Sequence, residues 1–131
     1  MMALDTHVWI RWVDPTNMPL PAELVERIET SDQLAISAIS CWELAMLVRR
    51  GRVQVSLPLY QWIDMALSGS GVTCLPVERQ TAICAANLPE HHRDPADRLI
   101  IATTITTNAA LASLDDAFSQ YAELSGKLFS H

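Results

Sequence analysis

Four acids of this sequence are candidates for a catalytic or metal-binding site, namely Asp5, Glu43, Asp97 and Asp115. Asp5 follows the apolar "MMAL" and precedes "THVWI", and a carboxylate beside that much apolar surface is costly unless a cation or hydrogen-bond donors compensate it. Clustered carboxylates repel one another, and a divalent cation relieves that repulsion. Oxygen ligands suit Mg²⁺ or Mn²⁺, and such ions can drive phosphodiester cleavage.

The elements that must position these acids alternate along the chain. Short apolar runs predict strands, and apolar residues at helical spacing with Pro or Gly at the ends predict helices. Strands separated by helices favour a mostly parallel sheet that is covered on both faces. The predicted strands are 2–5, 33–37, 72–77, 109–114 and 127–129, and the predicted helices are 20–31, 40–53, 57–71, 78–89, 94–108 and 115–124.

This architecture predicts that the four acids converge. In an open parallel sheet, ligands bind beyond the carboxyl ends of the strands, and the N-termini of the crossover helices lie at the same edge. Asp5 ends the first strand and Asp115 follows the strand over 109–114. We expect Glu43 in the first turn of its helix and Asp97 in the first turn of the helix over 94–108.

Taken singly, the same acids also suit helix caps. Ser40 and Glu43 have the spacing of an S-x-x-E capping box, and Asp94 fits an N-cap with Pro95 at the first helical position. Asp115 fits the N-cap of the helix that follows it. Sequence spacing alone therefore leaves a structural role open for each residue.

Length and composition limit the remaining possibilities. The 131 residues are half hydrophobic, which favours one folded domain over residues 1–131 and argues against disorder. Three cysteines without metal-ligand spacing predict reduced thiols in a cytoplasmic protein. The most apolar stretch, "LIIATTITTNAALA", is too short to span a bilayer, so we expect no membrane segment.

The charge of the chain leaves nucleic-acid binding open. The formal net charge of −6 disfavours a polyanionic partner, but the basic residues are clustered. One group, Arg93 and Arg98 with His91 and His92, surrounds a loop just before Asp97 and could contact a phosphate backbone. The alternative is a solvated loop packed at the start of a helix.

Four segments of the sequence resemble a known family. "LDTHVWI", "ISAISCWELAMLVRRGRV", "HHRDPADRLIIATT" and "LASLDDAF" are similar, in order and spacing, to the four blocks of PIN domains. The strongest likeness is to the VapC-type ribonuclease toxins of bacterial toxin–antitoxin pairs. The resemblance extends from Leu4 to about Phe118.

The resemblance implies a fold, an activity and partners. It implies a three-layer α/β/α sandwich with a parallel sheet of four or five strands. It also implies cleavage of RNA that depends on Mg²⁺ or Mn²⁺, a homodimer, and inhibition by a cognate antitoxin protein.

The family's site residues fall on positions of this sequence one by one. Its acidic quartet falls on the four acids named at the outset, and its hydroxyl position before the last acid falls on Ser113. Thr6, next to Asp5, matches a frequent family residue that could bond a water molecule or a backbone group. Asp116 is an extra acid that could serve as an outer ligand in place of Asp115. Asp94 is assigned to helix capping.

Two other classes of function remain as alternatives. A receiver-like signalling domain also binds Mg²⁺ at strand ends, but it wants two adjacent acids after the first strand and a Lys after the last. This chain offers only Asp5 there, and Lys127 comes after the last predicted helix. A non-catalytic interaction domain that keeps a metal ion for stability is the second alternative.

Overall fold

The computed structural model describes residues 1–16 and 18–129, and they form a sheet of five strands surrounded by helices. Most elements lie close to their predicted positions. The strands are Met2–Leu4 (β1), Leu34–Ser37 (β2), Val72–Leu75 (β3), Ala110–Ala112 (β4) and Leu128–Phe129 (β5). The helices are Thr6–Val13 (α1), Ala22–Glu29 (α2), Ala38–Arg49 (α3), Leu59–Ser68 (α4), Arg79–Asn87 (α5) and Pro95–Thr106 (α6), and Asp116–Gln120 and Ala122–Leu124 are 3₁₀ helices.

The sheet has strand order β3-β2-β1-β4-β5, and each neighbouring pair is parallel. The first strand of the chain is therefore central, with Ala3 registered against Ala35 of β2 on one side and Leu111 of β4 on the other. All five strands point the same way, so their carboxyl ends share one edge. The residue that follows β1, Asp5, lies in the middle of that edge.

Two apolar clusters cover the two faces of the sheet. Side chains alternate along a strand, so Met2 and Leu4 of β1 enter one cluster and Ala3 enters the other. The first cluster includes side chains from α1, α2, α3 and α4, and the second includes Ile100 and Ile101 of α6 with residues of the 3₁₀ segments. This arrangement confirms the predicted α/β/α sandwich with a parallel sheet.

Helix α1 was not predicted. It is short and contains Thr, Val, Trp and Ile, which are weak helix formers, so local propensity does not explain it. Two other contributions do: the Asp5 side chain accepts a hydrogen bond from Val8 N at 2.9 Å at the N-cap, and Val8 and Trp9 are buried in the core. The first acid of the chain thus also begins a helix.

Two predictions about helix starts were wrong. The N-cap of α3 is Ser37, whose hydroxyl accepts from Ile39 N at 3.2 Å, so Ser40 and Glu43 do not form a capping box. Glu43 is the sixth residue of α3, beyond its first turn. The predicted helix over 115–124 consists of two 3₁₀ helices, and Asp115 is the N-cap of the first of them, as expected.

No helix in the described ranges 1–16 and 18–129 has the length and hydropathy needed to cross a membrane.

Candidate metal centre

The structure gathers the predicted acids at the carboxyl edge of the sheet, around Asp97. Oxygens of Asp97, Glu43 and Asp94 lie within 4.8 Å of one another. A second group of ligand atoms, from Asp97, His92 and Asp115, satisfies the same limit. Asp97 is common to both groups, and Asp5 is close enough to Asp97 to act on its pKa. The predicted convergence therefore occurs, with Asp97 at its centre.

Asp5 is held by protein donors on both carboxylate oxygens. It is buried, with Oδ1 accepting from Val8 N at 2.9 Å and Oδ2 accepting from the Ser113 hydroxyl. Ser113 Oγ in turn accepts from Asp115 N at 3.0 Å. Ser113 thereby joins the first and last acids of the predicted quartet, which is the supporting position expected for it.

Glu43 is positioned by a hydroxyl pair at the start of α1. The Thr6 hydroxyl donates to Glu43 Oε1, and Thr6 Oγ1 lies 2.9 Å from Ser40 Oγ. Thr6 and Ser40 are both buried. Ser40, which the sequence placed at a helix cap, instead packs against Thr6 behind the acid cluster.

The crowding of carboxylates disfavours negative charge at two positions. Burial, and then the neighbouring charges of Asp94, Glu43, Asp115 and Asp5, raise the pKa of Asp97 from 3.8 to about 7. Burial also raises the pKa of Asp5, while the hydrogen bonds from Ser113 and Val8 act in the opposite direction. A cation among these groups would favour their charged forms.

His92 also belongs to the cluster, although the sequence suggested only a solvated loop or a phosphate contact for it. Its Nε2 lies 3.5 Å from Asp115 Oδ2 and 3.7 Å from Asp97 Oδ2. The imidazole packs against the rings of Phe118 and Tyr121, with centroids 5.1 Å and 5.8 Å away. His92 N donates to Tyr121 Oη at 3.0 Å. The aromatic side chains that orient the ring come from a distant segment, so no local signal shows its direction.

The two acids outside the predicted quartet, Asp94 and Asp116, differ in their distance from the cluster. Asp94 is the N-cap of α6, accepting from Ala96 N at 2.9 Å, and it also lies in the group with Glu43 and Asp97. Its assignment to capping alone was incomplete. Asp116 is exposed and falls outside both metal-holding groups found in the described residues, so its role as an outer ligand stays a prediction.

Of the basic residues around the loop before α6, Arg98 makes several hydrogen bonds to the main chain. The Arg98 guanidinium donates to the carbonyls of Ala85, Leu88, Pro89 and His92 at 2.8–3.1 Å, and so caps the end of α5 and holds the loop. These bonds give Arg98 a structural role, and its contact with a phosphate backbone stays a prediction.

The other members of the predicted RNA-contacting group are more accessible. Arg93 and His91 are both exposed, and His91 stacks edge-on against Tyr121 with centroids 4.8 Å apart. An RNA contact through either residue stays a prediction.

Comparison with protein families gives one model that matches most of the chain. The model is described as the PIN domain, and it matches residues 2–124. The chain is also 35% identical over 114 residues to Ribonuclease VapC22 of Mycobacterium tuberculosis, a match covering 86% of this chain and 85% of that protein.

Solved structures share the fold over nearly the whole chain. VapBC2 of Rickettsia felis, bound to a DNA fragment from its promoter, has a TM-score of 0.71 at 18% identity, covering 98% of this chain and 96% of that one. A toxin–antitoxin complex from Klebsiella pneumoniae has a TM-score of 0.66 at 16% identity, covering 99% and 97%. At such low identities these matches show the fold alone.

Proposed function

The chain belongs to the PIN domain family, and on that premise we propose that it is a metal-dependent endoribonuclease, the toxin of a toxin–antitoxin pair. The 35% identity to a ribonuclease over most of both chains supports RNA as the substrate. The observation that carries the proposal is the convergence of carboxylates on Asp97 at the carboxyl edge of the sheet. The catalytic acids that we propose are Asp5, Glu43, Asp97 and Asp115.

The donor set fits a hard divalent cation. The oxygens of Glu43, Asp94 and Asp97 lie within 4.8 Å of each other, and carboxylate oxygens are the ligands that Mg²⁺ and Mn²⁺ accept. Burial and then the neighbouring carboxylates raise the pKa of Asp97, and a bound cation would offset both effects. We propose Mg²⁺ or Mn²⁺ as the ion.

Each residue has a distinct task in the proposed reaction. When bound, a divalent cation activates water for attack on phosphorus and stabilises the leaving oxygen. Asp5, Asp97 and Glu43 would hold the cation directly or through water. Asp115 would complete the ligand set or hold a second ion. Ser113 and Val8 fix the Asp5 carboxylate, and Thr6 fixes Glu43, so these two acids need little rearrangement when the cation and the RNA bind.

Two partners and a location complete the proposal. A cognate antitoxin is supported by the likeness to VapC proteins and by a pocket of about 320 Å³ between α1, α3 and α4, with an apolar floor and the basic side chains of Arg11 and Arg52. A homodimer is supported by large exposed side chains on α3 and α4, namely Trp42, Tyr60 and Met65. The location that we propose is the cytoplasm.

The function is tested by cleavage of total cellular RNA by the purified protein with Mg²⁺, with Mn²⁺ and with EDTA. Asp97→Asn serves as the inactive variant, and Asp64→Asn, which changes an exposed acid on α4, is the matched control. We expect discrete fragments that require metal, persist in Asp64→Asn and vanish in Asp97→Asn.

Two results would contradict the proposal. Equal cleavage by Asp97→Asn would show that the activity does not come from this acid cluster. Metal binding without cleavage of any RNA would favour the non-catalytic metal-binding domain.

A further inference from the structure

The acid cluster contains one side chain of different chemistry, the imidazole of His92. Its side chain is only 10% exposed, and its Nε2 points at the oxygens of Asp97 and Asp115. The same ring has a buried Nδ1 with no hydrogen-bond partner in the described part of the chain. Buried polar atoms without a hydrogen-bond partner are uncommon in folded proteins, so the position of this ring needs an explanation.

Its contacts with the acids are too long for hydrogen bonds of ordinary strength. The distances from Nε2 to Asp115 Oδ2 and Asp97 Oδ2 are 3.5 Å and 3.7 Å, beyond the range of about 2.7–3.2 Å typical of N–H···O bonds. They agree well with a shared ion. Two atoms that each lie about 2.1 Å from one metal ion are about 3.0–4.2 Å apart, depending on the angle at the metal.

We propose that His92 is a metal ligand, and that His92, Asp97 and Asp115 form a mixed nitrogen and oxygen subsite that prefers Mn²⁺ to Mg²⁺. Glu43, Asp94 and Asp97 form the all-oxygen group beside it. Imidazole suits first-row transition metals, whereas Mg²⁺ favours oxygen ligands and water. The inference rests on the proposed metal-dependent function and adds to it a residue and a metal preference.

The ring is held in the ligating orientation by packing. The rings of Phe118 and Tyr121 pack against it at interplanar angles of 59° and 35°, and the bond from His92 N to Tyr121 Oη fixes the main chain. In many metal sites a hydrogen bond to the second ring nitrogen sets the orientation. Here Nδ1 has no such partner among the described residues, so the aromatic rings take over that role.

The adjacent histidine offers a matched control. His91 is exposed and meets Tyr121 edge-on, and neither metal-holding group of the described residues includes it. His91→Gln and His92→Gln therefore make the same chemical change at consecutive positions, of which only one points into the acid cluster.

The test uses Mn²⁺ alone as the probe of the purified full chain. Electron spin-echo spectroscopy of bound Mn²⁺ should show coupling to a ¹⁴N nucleus in the unmutated protein and in His91→Gln, and no such coupling in His92→Gln. Calorimetric titration should show His92→Gln weakening Mn²⁺ binding about 10-fold or more and Mg²⁺ binding by less than about 3-fold.

Each contrary result identifies what has failed. Bound Mn²⁺ without ¹⁴N coupling in the unmutated protein would overturn the role of His92 while leaving the carboxylate site intact. This measurement does not depend on how any variant folds. Coupling that persists in His92→Gln would likewise overturn it. If millimolar Mn²⁺ does not bind at all, both this inference and the metal site of the proposed function are wrong.

Discussion

The two halves of the acid cluster are built differently. In the half formed by Asp5 and Glu43, protein donors occupy the carboxylate oxygens: Val8 N and the Ser113 hydroxyl bond Asp5, and the Thr6 hydroxyl bonds Glu43. We call this the tied half. The open half consists of Asp94, Asp97, Asp115 and His92, where Asp97 receives no hydrogen bond from the described residues and its neighbours are mostly other acids.

The tied half therefore shows how carboxylates are positioned, and the open half shows how their charges affect one another. In the tied half, Asp5 follows β1 and Glu43 lies within α3, and hydrogen bonds to both acids fix where the carboxylates stand before any ligand arrives. In the open half, burial of Asp97 and then the negative charges of the neighbouring acids raise its pKa to about 7. A cation is therefore needed mainly by the open half, and changes in the two halves should affect stability with opposite sign.

The largest expected effect is that of Asp97→Asn. RNA cleavage should fall at least about 100-fold, since even the outer partners of a metal are worth about 10–100-fold. In EDTA at pH 8, the variant should nevertheless unfold at a higher temperature than the parent, because the repulsion around residue 97 is gone. Cleavage assays measure the loss of activity, and thermal denaturation measures the gain in stability. A variant that is both inactive and less stable would contradict the description of the open half.

Ser113→Ala should have the opposite effect on stability. It removes a buried donor from Asp5 and an acceptor from Asp115 N, so we expect the free energy of unfolding to fall by about 1–3 kcal/mol. Cleavage should fall about 10-fold, because Asp5 loses its fixed position. Urea denaturation and cleavage assays measure these effects, with Ser119→Ala, at an exposed serine, as the control. Unchanged stability would show that the tied half is not held by these bonds.

The metal-free protein should lose stability as the pH rises. The folded-state pKa of Asp97 lies near 7 against 3.8 as the ordinary value, so the folded state binds more protons between those limits. The protonated Asp97 side chain therefore stabilises the folded state fully below about pH 4, and this stabilisation is lost as the pH rises through about 7. Because the side chain is 21% exposed, we expect a loss of about 1–3 kcal/mol, less than the full pKa difference implies.

Urea denaturation in EDTA between pH 4 and pH 8 measures this loss, and the difference between the parent and Asp97→Asn isolates it from other groups. Adding Mn²⁺ at pH 8 should restore the free energy of unfolding of the parent and leave that of Asp97→Asn nearly unchanged. If the difference between the two proteins is the same at both pH values, Asp97 does not titrate in this range.

The smallest expected effect concerns the surface beside the open half, where Arg93 lines a shallow groove with His92. Arg93→Ala should weaken RNA binding about 3- to 10-fold and reduce the slope of log affinity against log salt by about 1, since one phosphate contact is lost. Arg79→Ala, at an exposed position on α5, is the control. Filter binding at several salt concentrations, with EDTA to prevent cleavage, measures both quantities. An unchanged salt slope would remove Arg93 from the RNA interface.

The parts of the molecule that follow from the pattern of strands and helices could be predicted from the sequence. Alternating short apolar runs and amphipathic helices dictate a parallel sheet with two covered faces, and a parallel sheet places residues after its strands at one edge. Asp5 and Asp115 were found in this way. Asp97 followed because α6 begins at the same edge, with Asp94 and Pro95 marking its start.

The parts that depend on tertiary packing could not be predicted. Helix α1 forms because Val8 and Trp9 are buried and Asp5 caps it, although its own propensity is weak. His92 reaches the acids because distant aromatic side chains fix its ring. The N-cap of α3 was misplaced by three residues, since the serine at position 37 and the one at position 40 both suit an N-cap in the sequence. In the structure Ser37 accepts from Ile39 N, whereas the Ser40 hydroxyl lies against Thr6.

Anomalous diffraction from crystals of the protein soaked in Mn²⁺ tests directly whether the acid cluster holds a cation. We expect an anomalous peak bonded to the Asp97 carboxylate, on the open side of the cluster, with Asp5 and Glu43 still held by Ser113 and Thr6. A well-ordered site with no peak near Asp97, or a peak only elsewhere on the protein, would contradict the claim that this cluster is built to hold a cation.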